Sequence, residues 1–511
     1  MSIRVLSAAI ALLLQLMSPS GAGEPLADTS FCAPLPPPTG LTTTVSTEHD
    51  LRTQAYSAVT DTTILVTPGT YDMQSFLHII HDGIAIRGST GNRGDVVLDF
   101  GGMVGGHFGT LVDADDVTIA DLSIRNASEH GVSIQGHDRP TLYNLHILDI
   151  GSQLVKVNPH IDGINGSEDG LLACSRLEYT SSAPDSYTNG ISAHSAHRWV
   201  VRDNEWYRIR AIDNTAVPTI LFWSGSSDTI VERNLLVDCI QGISFGNSSH
   251  SGIDHFGGLV RNNMIYANLR HDVVIEMVHA QGWTVAHNTA LLLNPGLGQT
   301  WGMEARFSDS QGTFAYNLSN MDILHDRDGA QGTVVGNITS ADSSWFQNSS
   351  TGDLHLLPTA IGAIDQASPH SDVADDFDGD PRPLGSAPDV GADEFRPAIP
   401  DPITDLRVTG AFTAGGTLTA TLGWSAPPNA VTSTLRYTRT RITSSNWPSA
   451  TLLTNTLPCT TEIYVASIPH PGGIAYFAMS SQNVEGEWST LSNNAFWPSI
   501  TLFLPLVMQS G

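Results

Sequence analysis

Six short phrases recur between residues 197 and 341: HRWVVRDNEW, DTIVERNLLV, GGLVRNNMIY, GWTVAHNTAL, GTFAYNLSNM and GTVVGNITSA. Each alternates apolar and polar positions and places Val, Ile or Phe three residues before an Asn. The Asn are Asn204, Asn234, Asn263, Asn288, Asn317 and Asn337, at intervals of 30, 29, 25, 29 and 20. The frame runs backwards through Ser175, Leu145 and Leu122. A period of 20 to 30 residues marks a solenoid. Alternation with a period of two, as in Val117 and Ile119, predicts short β-strands and argues against a helical solenoid. The LxxLxL frame of leucine-rich repeats does not recur. The pattern therefore predicts an all-β chain whose main part is a right-handed parallel β-helix.

In that architecture successive coils stack at about 4.8 Å. One Asn per coil then stacks on the next, with amides bonding along the axis. Asn also tolerates the left-handed turn between two strands, and each repeated Asn is expected there. Earlier coils are expected in ILVTPGTYDM, GIAIRGSTG and DVVLDFGG, residues 64 to 101.

The VTPGTY phrase and the Asn-bearing coils resemble secreted bacterial β-helix proteins of the pectin lyase-like superfamily. The resemblance covers residues 48–395. DFDGDPRPLGSAPDVGADEF, residues 376 to 395, is similar to the closing motif of members that carry an assortment of surface anchors. Asp376, Asp378 and Asp380 have calcium-loop spacing, but Pro381 and Ala387 stand where an EF-hand needs Gly and Glu. A structural turn is expected there, with bound Ca²⁺ the alternative; no other cofactor is expected.

PAIPDPITDL reads as a Pro-rich linker, 396–404. Residues 405–498 carry β-runs at roughly ten-residue spacing. Trp424, Tyr437 and Tyr476 there resemble the core aromatics of a fibronectin type III-like sandwich. The apolar tail 499–511 reads as a sorting signal or a last strand. Residues 1–23, with an apolar run from Val5 to Met17, read as a signal peptide.

Formal charge is −28, which argues against nucleic acid or an anionic membrane as partner. No apolar run after the leader is long enough to span a bilayer. A secreted or cell-surface monomer is expected. Four Cys are too few for a disulfide framework in so long a chain, and Cys174 and Cys239 are expected to be buried free thiols.

One strand per coil should present a working face: GVSIQ, LVKVN, GISAH, TILFW, GISFG, VVIEM, GMEAR and DILHD. Alternation sends Val132 and Ile134, Val155 and Val157, and their equivalents inward. Gln135, Lys156, Asn158, His194, Trp223, Glu276, Glu304 and Arg306 then face out on one stripe. Trp223 offers a stacking face for a sugar, with Gln135, Lys156 and Asn158 as further substrate contacts. His194, Glu276, Glu304 and Arg306 are residue types for acid–base work. If the two Glu lie on adjacent coils and two positions apart, their backbones are about 8 Å apart, in the range of an inverting glycosidase. A lyase needs a base for a proton α to a carboxylate, and Lys156 or Arg306 could serve. His250, His255, His271 and His279 are expected in loops, solvated. The full motif series of polygalacturonases is missing, as is the acidic calcium cluster of pectate lyases. Asp162 and Asp169, in HIDGING and SEDG, are a third-choice site. The leading expectation is a protein that binds an extracellular polysaccharide and cleaves it by hydrolysis or β-elimination. The alternative is a non-catalytic surface or adhesion protein.

Overall fold

The computed structural model describes residues 32–498 apart from 164, 216, 295–299, 459, 471 and 485. The leader and the apolar tail lie outside the described residues. Three long parallel sheets run side by side: one of 16 strands, which includes a run of four two-residue strands, and two of 10. Each full coil passes through all three. Ile230–Glu232 lies in the first sheet, Leu235–Val237 in the second and Ile243–Phe245 in the third. Among the described residues, every strand pair within these sheets is parallel and joins one coil to the next, as in Ile220↔Ile243 and Ile243↔Ile275. The right-handed parallel β-helix expected from the repeat is therefore the fold.

The inward residues are sealed. Ile134, Val157, Ala193, Phe222, Phe245, Ile275, Met277 and Met303 are all 0% exposed and stack coil on coil. At the first-to-second-sheet corner the repeated Asn form a ladder. Asn234 N donates to Asn263 Oδ1 at 3.0 Å, and Asn234 Nδ2 donates to the same oxygen at 3.0 Å. Asn263 repeats both bonds to Asn288, Asn288 to Asn317, and Asn317 to Asn337. Each Nδ2 also donates back to a carbonyl of the preceding coil, as Asn263 does to Val231 O at 2.9 Å.

The conformational part of the expectation is corrected. The ladder Asn are not left-handed; the residue before each of them is. Asp203, Arg233, Asn262, His287 and Tyr316 have φ of 50–57°. The turn residue bends the chain, which leaves the Asn free to aim its amide along the axis.

The coil strands run from Leu41–Val45 to Gln331–Val335. Leu41–Val45 already pairs with Thr62–Val66. Between them a helix, Glu48–Ser57, follows the N-cap Thr47, whose side chain accepts from Asp50 N. It buries Leu51 and Ala55 against the first coils. The last coil strand is Gln331–Val335. Residues beyond it fold back over the second sheet, where Phe346, Leu354, Leu356 and Val390 pack on Val237, Met264 and Leu291. Asp376 is 0% exposed and accepts from the backbone N–H groups of Asp378, Asp380 and Glu394. Asp378 lies beside His355, and Asp380 accepts from Arg396. The acidic run builds a turn.

Cys174 corrects a second expectation. It is bonded to Cys32 and pins the N-terminal segment across the outer face of the first sheet, where Leu35 packs with Ala120, Tyr143 and Ala173. Cys239 is a buried free thiol. The C-terminal part is a β-sandwich of a three-stranded and a four-stranded antiparallel sheet. Trp424, Leu435 and Phe477 form its core, with Tyr437 packed against it.

Asn263→Leu should cost about 1–3 kcal/mol for each group left unpaired, because Asn234 loses an acceptor inside a dry stack. Asn337→Leu, at the half-buried end of the ladder, should cost less. Urea unfolding of both variants measures this, and an unchanged midpoint for Asn263→Leu would remove the ladder's energetic role.

Candidate active-site groove

The outward side of the third sheet carries two adjacent columns of side chains. Strand register stacks Ser133 on Lys156, Lys156 on Ser192, Ser192 on Leu221, Leu221 on Ser244, Ser244 on Glu276, and Glu276 on Glu304. Two positions along, Gln135 pairs with Asn158, His194 with Trp223, and Val278 with Arg306. All eight sequence-predicted residues thus share one sheet face. Asp162 and Asp169 do not; Asp162 caps its own loop by accepting from Asn165, and Asp169 pairs with Arg198.

Outward does not mean open. Lys156 is 6% exposed and Glu304 is 1% exposed, which corrects the expectation of a solvated stripe. The loop between Arg176–Glu178 and Ile191–His194 brings Tyr187 over Lys156, with the ammonium 5.6 Å from the ring centre. A cleft of about 560 Å³ opens there, lined by Glu129, His130, Gln153, Lys156, Asp185 and Tyr187 among others. Lys156 Nζ donates to Ser192 Oγ at 3.2 Å and lies 2.9 Å from His194 Nε2. Among the described residues no carboxylate lies within 4 Å of this amine. Burial lowers Lys156 to about 8. Burial and the Lys156 charge hold His130 near 4, against a small opposing pull from Asp185. His194 is held near 4 by burial, Lys156 and His250. Both imidazoles are therefore neutral at pH 7, and His194 accepts from the ammonium. Burial pushes the Tyr187 hydroxyl up.

The sequence carries a compositional signal for this site. Of the chain's 23 basic side chains, 22 are Arg and one is Lys, and that one is Lys156. A guanidinium stays protonated in proteins, whereas a buried amine can give up its proton near neutrality. Tyr187 carries no such mark; only its loop places it.

Trp223 is half-buried, and its faces are not free. His250 stacks on it at 4.7 Å and His194 meets it edge-on at 4.5 Å. Of the histidines expected in solvent, His255, His271 and His279 are buried. His255 stacks on Phe245 at 4.1 Å, His271 hydrogen-bonds Cys239 O, and His279 pairs with Asp309.

Glu276 and Glu304 are paired directly across one strand spacing and are not two positions apart. The separation on which the inverting-glycosidase expectation rested is therefore not present. Arg327 Nη1 donates to Glu304 at 2.7 Å while stacking on Trp301 at 4.1 Å. Arg306 bonds Asp328 at 2.9 Å and reaches Glu276 at 3.4 Å. Burial, and then the facing Glu304 carboxylate, raise Glu276 to about 7. Glu276 is the carboxyl of the pair that holds its proton more tightly, because a like charge one strand away disfavours its ionised form in a dry site.

The strand topology defines the class: a right-handed parallel β-helix carrying a C-terminal β-sandwich. No known protein-family profile matches the sequence, and no curated protein sequence matches it. Among solved structures it is similar to an alginate lyase from Paenibacillus sp. str. FPU-7, at 18% identity and a TM-score of 0.41 over 58% of this chain and 98% of that one. Pectate lyase Pel9A matches at 14% identity and 0.42 over 67% and 90%. A mannuronic acid specific family 6 lyase from human gut microbiota matches at 12% and 0.38 over 58% and 80%. No residue role is carried over from them.

The folded protein holds a proton on Glu276 between its ordinary 4.5 and about 7. The stability this group contributes is complete below about pH 4.5 and is lost as pH rises through about 7. Glu276→Gln keeps the neutral shape. Relative to wild type it should gain on the order of 3 kcal/mol between those limits. Urea unfolding at both ends measures the change, and a constant difference would rule out the retained proton.

Proposed function

We propose that the protein cleaves an extracellular uronic-acid polysaccharide by β-elimination, with Lys156 as the base. The carrying observation is that the chain's one lysine lies in the floor of the groove's cleft with its amine lowered to about 8. A proton α to a carboxyl group is acidic enough for a neutral amine, and a catalytic base works best with a pKa close to the working pH. His194 orients the amine and accepts its proton-bearing N–H. Gln135 and Asn158 line the neighbouring column as sugar contacts, while Trp223 lies beneath His250 and supports that column. Glu276, Glu304 and Arg306 lie farther along as a distal polar patch. Their direct pairing and the Arg327 clamp disfavour hydrolysis by two separated carboxyls.

The Cys32–Cys174 disulfide supports residence in an oxidising compartment. Among the described residues no helix is long and apolar enough to cross a membrane. The sandwich places the strands Arg407–Ala414, Thr417–Gly423 and Ile463–Pro469 in one sheet. That arrangement supports a fibronectin type III-like module, which in our reading acts as a spacer.

The test is a panel of uronic-acid polymers followed by the ultraviolet absorbance of the unsaturated product. Cleavage should rise with pH through about 8 as Lys156 loses its proton, and Lys156→Ala should lower turnover at least 100-fold. New reducing ends without the absorbance would point to hydrolysis at Glu276 instead. Binding without cleavage would leave the non-catalytic surface protein ahead.

A further inference from the structure

Lys156 does not stand alone in the cleft. Ser192, on the next coil, is 0% exposed and sits between two proton-carrying groups. Its Oγ lies 3.2 Å from Lys156 Nζ and 3.2 Å from the Tyr187 hydroxyl. Register fixes the first contact, since Lys156 and Ser192 are directly paired. The overhanging loop fixes the second. Tyr187 N donates to Asp185 Oδ1, and Tyr187 O accepts from Ser152 Oγ at 3.2 Å, so backbone bonds hold the residue over the cleft. An amine, a hydroxyl and a phenol thus form a continuous chain that opens on the cavity at both ends.

Elimination needs two proton transfers at once. The base takes H5 of the sugar, and the departing O4 needs a proton to leave as a hydroxyl. We propose that Tyr187 is the acid that protonates the departing oxygen, and that Ser192 returns the proton from Lys156 to Tyr187 after each turnover; this rests on the elimination reading above. The Nζ lone pair takes H5. The C5–H electrons form the C4=C5 double bond, and the C4–O4 bond breaks with its electrons on O4. That oxygen takes the Tyr187 proton. The tyrosinate then regains a proton from Ser192 Oγ, which regains one from the Lys156 ammonium. The enzyme ends in its starting state with no oxidant, reductant or metal consumed. Burial lowers the amine, so a neutral base is available, and the phenol, raised by burial, is protonated at the same pH. The other titratable groups facing the pair are His130, His194, Glu129 and Asp185.

The test compares two leaving groups in the full-length protein. One substrate is the polymer that wild type cleaves. The other is a uronoside carrying 2,4-dinitrophenolate at C4, which leaves without a proton. Tyr187→Phe and Ser192→Ala should each lose at least 10-fold more turnover on the polymer than on the aryl substrate, whereas Lys156→Ala should lose both alike. Equal losses of Tyr187→Phe on the two substrates would make Tyr187 a positioning residue and overturn the relay while keeping the elimination. Unchanged polymer cleavage in either variant would also overturn it. Should Lys156→Ala retain activity, or wild type release unsaturated product from no uronan, the elimination reading itself falls and the relay with it. The integrity of the cleft has its own readout. The single lysine permits acylation of one ε-amine to be followed by peptide mass mapping, and its pH midpoint should stay near 8 in Tyr187→Phe.

Discussion

Parallel coils stacked one strand apart force like to lie on like. A residue type placed at one position of one coil meets the same position of the next coil at about 4.8 Å. For apolar groups this is favourable, and the inward columns of Ile, Val, Phe and Met use it. For an amide it is also favourable, because Asn is donor and acceptor at once and can bond a copy of itself. For charge it is not. A column of identical ions would repel at every step, so each charged side chain on these columns needs its own answer from its neighbours.

The outward column of the third sheet shows several answers. Glu304 takes Arg327, which lies on the next coil and stacks on Trp301. Glu276, facing Glu304, keeps a proton. Lys156 is flanked by Ser133 and Ser192, which are small and uncharged. The same stacking that gives the fold its length therefore sets protonation along the groove, and loops from the second-to-third-sheet corner complete the effect by excluding water. In the first sheet the outer column is handled by straps instead. The N-terminal segment covers one end through the disulfide, and Asp375 pairs with Arg233 and Arg261 toward the other.

What repeats was legible, and what occurs once was not. Asn at a fixed place in each coil and alternation around it define both the fold and the face on which Lys156, His194 and Trp223 lie. Register along that face was harder, because the corner loops differ in length from coil to coil. Loop length between coils, not alternation, decides that Glu276 and Glu304 are directly opposed. Burial of outward residues depends on which loop folds over them, so Tyr187 and the covering of Trp223 by His250 left no periodic trace. Cys32 lies 142 residues from its partner and outside the repeat, and alternation carries no information about such a contact.

Among the described residues, buried basic groups are met by carboxylates or, as Arg210 is by Asp238 O and Arg270 O, by backbone carbonyls. Arg233 meets Asp203, Arg382 meets Glu394 and Glu304 meets Arg327. Lys156 has a serine, a neutral imidazole and the Tyr187 ring, and no carboxylate within 4 Å among the described residues. Moving an amine from 10.5 to about 8 costs the charged form about 3 kcal/mol at neutral pH. An arginine would cost more at the same place, since it could not escape by losing its proton, and a leucine would cost nothing. A chain that uses Arg at every other basic position thus accepts an instability here that apolar packing would remove. Perturbed groups of this kind cluster at functional sites, and the elimination proposed above would use this amine for proton transfer.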